Sequence, residues 1–148
     1  MPFDADMMLA DAAAVYDGAL SVIGAGWQIY DGSEPSSAAV AVMVRVPRDE
    51  LDVAHTVRLE LLNPDGSVFS IRVGEDSVPM ISEQEFTPTG ADDPTLTLPV
   101  YVPFALTVPP LLLEPDCEYV WRLRIDGKTR ERWRLVFRTS LHRGPIDR

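Results

Sequence analysis

The stretch EYVWRLRIDGKTRERWRLVF, residues 118–137, decides how this chain folds. Tyr119, Trp121, Leu123 and Ile125 alternate with Val120, Arg122 and Arg124, the period of a strand with one buried face. Glu131, Trp133, Leu135 and Phe137 repeat that period against Arg132 and Arg134. Asp126-Gly127 stands between them and signals a hairpin. A two-residue loop would set Leu123 beside Arg130 and mix the faces, because one step of register turns every side chain over. A three-residue Asp126-Gly127-Lys128 loop with a glycine bulge pairs Leu123 with Glu131 and keeps the aromatics together. The expected hairpin therefore has an odd-length loop or a bulge, with Trp121 and Trp133 both facing inward.

That register has an electrostatic consequence. It sets Arg122 opposite Arg132 and Arg124 opposite Arg130, with Arg134 extending the row beside Val120. Like charges directly opposite cost a few tenths to about 1 kcal/mol. A face made of Arg122, Arg124, Arg130, Arg132 and Arg134 therefore calls for anions. Glu60 or Glu118 on neighbouring strands is one supplier. The other is a partner: an acidic protein surface, another copy of the chain, or a bound anion. Arginine's planar fork suits carboxylates and phosphates.

Working outward, the lead-in LLLEPDC and Tyr119 resemble the connection in immunoglobulin-like sandwiches where a tyrosine near a strand start bonds back to the chain. Further strands are expected near residues 6–12, over Ala19 to Trp27, Ala38 to Val46, His55 to Leu62 and Leu98 to Val108. Tyr16-Asp17-Gly18 and Asn63-Pro64-Asp65-Gly66 are turn signals, the second leading into Val68 to Val73 as a hairpin arm. Pro99 and Pro103 demote the strand they sit in to an edge or a bulge. Residues 74–97 lack periodicity and read as one long loop. The fold expected is all-β: a single antiparallel β-sandwich, immunoglobulin-like, of seven to eight strands over residues 1–140, with a flexible tail at 141–148.

Gly24-Ala25-Gly26 invites a nucleotide reading. A dinucleotide fingerprint needs a third glycine, where Ile29 stands, and a helix after it, where Tyr30-Asp31-Gly32 forms a turn. Glycines at such a place serve a bend or a close approach instead, with Trp27 covering the space they leave. The same region carries a resemblance. LADAA, Asp17-Gly18, LSVIGAGW and the closing YVWRLRIDG are similar to a family of small bacterial proteins known only as a domain of unknown function. The similarity is clearest over residues 9–27 and 115–137. It implies a β-rich fold and brings no catalytic residues with it.

Composition bounds the rest. The net charge is −10, unevenly spread: residues 1–118 hold 20 acids and 4 arginines, residues 119–148 hold 9 bases and 3 acids. Overall acidity argues against nucleic acid as a partner. No apolar run approaches the roughly 20 residues of a membrane span, and the acidic start lacks the basic region of an export signal. A single cysteine, Cys117, and one lysine against twelve arginines point to a bacterial cytoplasm. His55 and His142 lie far apart, no metal-ligand spacing occurs, and Ser21 and Ser140 lack a nucleophile elbow. The Glu83 and Glu85 pair has nothing to select it as catalytic. The expectation is thus no enzyme, no cofactor, no metal and no membrane. The chain reads as a non-catalytic binding or assembly module that meets a protein partner or itself through the five arginines. The alternative is a small-ligand or Ca²⁺ site in the loops at 47–53 and 74–97, which carry Asp49, Glu50, Asp52, Asp92 and Asp93.

Overall fold

The computed structural model describes residues 2–31 and 35–140. These form twelve strands: β1 Asp4–Ala10, β2 Ala12–Tyr16, β3 Ala19–Ile23, β4 Ile29–Tyr30, β5 Ala38–Val46, β6 His55–Leu62, β7 Ser70–Val73, β8 Asp76–Pro79, β9 Ile81–Phe86, β10 Val100–Val108, β11 Glu118–Ile125 and β12 Arg134–Thr139. The described residues contain no α-helix, and one 3-10 turn, Arg48–Glu50, follows β5. Four sheets result, with orders β1-β5-β10, β4-β12-β11-β6-β9, β2-β3 and β7-β8. All pairings are antiparallel except β4 with β12.

The all-β, antiparallel expectation holds, while the strand count exceeds the seven to eight expected. The excess has local causes. Asp11 interrupts the first apolar run, donating its N–H to the Ile23 and Gly24 carbonyls, and so divides it into β1 and β2. Residues 74–97, read as loop, contain β8 and β9. Val68 to Val73 does not form a full arm against β6. Only Val68 bridges Leu62, β7 pairs with β8, and β9 takes the place beside β6. The strand expected over Ala19 to Trp27 ends at Ile23, where Gly24 (φ 64°) and Gly26 (φ 93°) turn the chain. Gly24 lies in the left-handed region that favours glycine, so the glycine there serves the bend. The tail at 141–148 lies outside the described residues.

One core joins the two larger sheets. Val40, Val42, Val44 and Val46 of β5 meet Leu59 and Leu61 of β6 and Tyr119, Trp121, Leu123 and Ile125 of β11 in a single buried cluster. Each fully buried valine or leucine contributes about 1.5–3 kcal/mol. The β2–β3 hairpin packs over β10 and β5, and Ala39 and Ala41 are buried on the other side of β5. Burial on both faces explains why β5 is apolar almost throughout rather than alternating. The connection into β11 is tied down as the sequence implied: the Tyr119 hydroxyl accepts the Glu114 N–H at 3.0 Å. Thr139 adds to it, donating to the Glu114 carbonyl and accepting from the Cys117 N–H.

Candidate functional site: an arginine face around a buried glutamate

The closing hairpin begins with the two-residue turn that face-matching argues against. Asp126 (φ 53°) and Gly127 (φ 77°) form it, and Ile125 and Lys128 exchange both backbone hydrogen bonds around it. Positive φ at both central residues is the turn geometry that matches strand twist. A bulge just beyond the turn restores the faces. Residues 129–132 leave the ladder, a second turn closes from Trp133 N–H to the Arg130 carbonyl, and pairing resumes where Leu123 donates to the Trp133 carbonyl. The Thr129 hydroxyl satisfies the Leu123 carbonyl inside this bulge. Trp121, Trp133 and Phe137 consequently share the core, as the alternation required.

The bulge shifts the register by two from that expected. Arg122 faces Arg134, not Arg132, and Arg124 does not pair with Arg130. The five arginines therefore separate into two groups. Arg122, Arg124 and Arg134 keep the outward alternation of β11 and β12. Arg130 sits in the bulge with its guanidinium 5.2 Å over the Trp133 ring, and Arg132 reaches Asp4 of β1 at 3.3 Å.

On the outward side of the five-stranded sheet, β6 brings Glu60 directly opposite Arg122, and Arg58 directly opposite Arg124. Glu60 is only 3% exposed. Arg122 grips it with two donors, Nε at 2.7 Å and a terminal nitrogen. Arg124 Nε lies 3.4 Å away and Arg58 Nε 3.0 Å from the other oxygen, the latter as an ion pair without hydrogen-bond geometry. Burial alone would raise the Glu60 pKa. The Arg122 hydrogen bonds, then the charges of Arg122, Arg124 and Arg58, outweigh it and hold the carboxyl below its ordinary value. Three guanidinium groups thus converge on one carboxylate. Glu83 offers Arg58 a looser contact at 3.7 Å, and Glu118 pairs with Arg138 instead. Arg134 is exposed and has no carboxylate within 4.0 Å among the described residues.

Arg58 is the member that sequence reasoning left out. The signal was there, since Arg58 and Glu60 share the outward side of a strand whose Val57, Leu59 and Leu61 are buried. His55 is a second residue whose setting alternation does not reveal. It is buried between the Phe3 and Phe86 rings. Its Nδ1 lies 2.7 Å from Asp126 and its Nε2 2.7 Å from the Glu50 carbonyl. Burial would lower its pKa, but the hydrogen bonds and charges of Glu50 and Asp126 raise it overall.

The two acidic loops meet, but their carboxylates do not gather into one site. Asp52 accepts N–H groups of Gly90 and Ala91, Asp93 caps Thr95, and no group of three or more His, Cys, Asp or Glu among the described residues is placed to hold a metal ion. Glu83 and Glu85 lie exposed on β9. His142 falls outside the described residues. No helix of the described residues is long and apolar enough to cross a membrane. Compared with known proteins, residues 5–138 match the model of a family described as one of unknown function (DUF6941). No curated protein and no solved structure matches the chain.

Proposed function

The chain belongs to that family of unknown function (DUF6941), and for this member we propose a non-catalytic binding module that docks an acidic protein surface through the outward side of β11 and β12. Arg122, Arg124 and Arg134 make the contact, with Arg58 beside them. Arg130 and Arg132, turned toward β1, stand at its margin. The observation that carries the reading is the charge imbalance around Glu60. One buried carboxylate faces three guanidinium groups, with Glu83 touching only Arg58, and Arg134, opposite Arg122, adds a fourth positive charge with no carboxylate within 4.0 Å among the described residues. Such a surface attracts an anionic counterpart and repels a basic one.

Another copy of the chain is the first candidate, because the remainder of the molecule is strongly acidic. An acidic partner protein is the other. The immunoglobulin-like sandwich belongs to the same proposal. Support for it comes from two sheets sharing one core and from the tyrosine tied back at the start of β11. One lysine against twelve arginines and a single cysteine support a bacterial cytoplasmic setting.

The test is the mass in solution at low and high salt, for the wild type and for Arg134→Glu. Arg134 is exposed and has no carboxylate within 4.0 Å among the described residues, so its reversal leaves the fold intact. The wild type is expected to associate at low salt and come apart at high salt, with the variant monomeric in both. A wild type that stays monomeric at low salt removes self-association.

A further inference from the structure

A second feature adjoins the margin of the arginine face, at the end of the molecule where β1 starts and β5 ends. An open bowl of about 920 Å³ sits there, within the range of small-molecule sites. Its apolar lining comes from Phe3, Pro47, Leu98 and Pro99. Arg45, Arg48 and Arg130 also line it, together with Asp4 and Asp49. These charges differ in how far they are satisfied. Asp4 is held by Arg45 at 2.7 Å and by Arg132 at 3.3 Å, and Asp49 is itself engaged. Arg48 gives one donor to the Ala91 carbonyl and Arg130 rests on Trp133. Neither has a carboxylate within 4.0 Å among the described residues. An apolar bowl with two guanidinium forks that have no carboxylate within 4.0 Å among the described residues, Arg48 meeting only the longer-range charge of Asp93, suits an apolar body carrying a carboxylate or phosphate head.

We propose that this bowl, between the start of β1, the 47–49 segment and Leu98-Pro99, binds a small amphiphilic anion through Arg48 and Arg130. The apolar body lies against Phe3, Pro47, Leu98 and Pro99. The head takes the free donors of the two arginines. The site shares only Arg130 with the proposed docking surface, at that surface's margin, and Arg48, which belongs to the bowl alone, tells the two proposals apart.

Calorimetric titration of the full chain with decanoate, and with decanol as the neutral counterpart, tests it. The wild type is expected to bind decanoate at one per chain and decanol more weakly. Arg48→Gln with Arg130→Gln should weaken decanoate by about tenfold or more, with a small fall in melting temperature from the lost Arg130–Trp133 contact. Arg48→Gln alone should give an intermediate loss if the double variant folds poorly. Arg134→Glu, on the other face, should bind as the wild type does. A wild type that binds no decanoate, or variants at Arg48 and Arg130 that bind it equally well, would overturn the assignment. Co-sedimentation with phosphatidylglycerol vesicles in the absence of decanoate binding would also overturn it, since the anion would then be a lipid headgroup at a membrane surface.

Discussion

Glu60 and His55 are titratable groups held almost wholly out of water, and each is held there by partners from other parts of the chain. Replacing Glu60 with Gln leaves three guanidinium groups crowded together without their carboxylate. The expected loss is about 2–3 kcal/mol in urea unfolding, less than the 3–5 typical of a fully buried pair because the arginines are 23–36% exposed. The pH dependence has opposite signs at the two residues. The folded-state pKa of Glu60 is lowered, so its contribution is present above the unfolded value of about 4.3 and lost as pH falls through the folded value. Glu60→Gln should therefore flatten the acid limb of the stability curve. For His55 the folded-state pKa is raised. Its contribution is complete below the unfolded value of about 6.5 and disappears as pH rises through the folded one. Unfolding midpoints measured from pH 6 upward should decline in the wild type and stay level in His55→Gln. A level wild-type profile would show that the ring is not charged between Asp126 and Glu50.

At the level of elements, the closing hairpin shows what alternation reveals and what it conceals. The inward set of Tyr119, Trp121, Leu123 and Ile125 was readable because burial on one face imposes a period of two. The register was not, because it depends on how residues 129–132 leave the ladder, and Thr-Arg-Glu-Arg has no pattern that announces a bulge. The same limit hid β8 and β9. Their side chains are mostly exposed, β9 is the edge of its sheet, and an edge strand with little buried surface carries no alternation. Glu60 was legible as a partner for the arginines because it sat outward on a neighbouring alternating strand. That three arginines share it was not, since this needs the β6 to β11 register. The turn itself makes a clean prediction. Gly127 has φ 77° and open space where a Cβ would be, so Gly127→Ala should cost only the backbone term. About 1 kcal/mol in denaturant unfolding is expected. A loss of several would mean that the turn position also packs against something.

Over the whole molecule, charge segregation is the organising fact. Acids dominate the chain up to residue 118, and the closing strands carry the excess of arginine. The sheet order places those strands side by side with β6, so part of the excess is cancelled internally by Glu60 and part is left facing outward. A surface of this kind associates faster and more tightly as ionic strength falls. The most direct measurement is backbone amide exchange across residues 118–138, in dilute and concentrated protein at low salt, with the β7–β8 hairpin as an internal control. Exchange that slows on concentration in the closing hairpin and is unchanged in β7–β8 is the predicted result. Exchange over residues 118–138 that does not respond to concentration, or slows no more than in β7–β8, would contradict it.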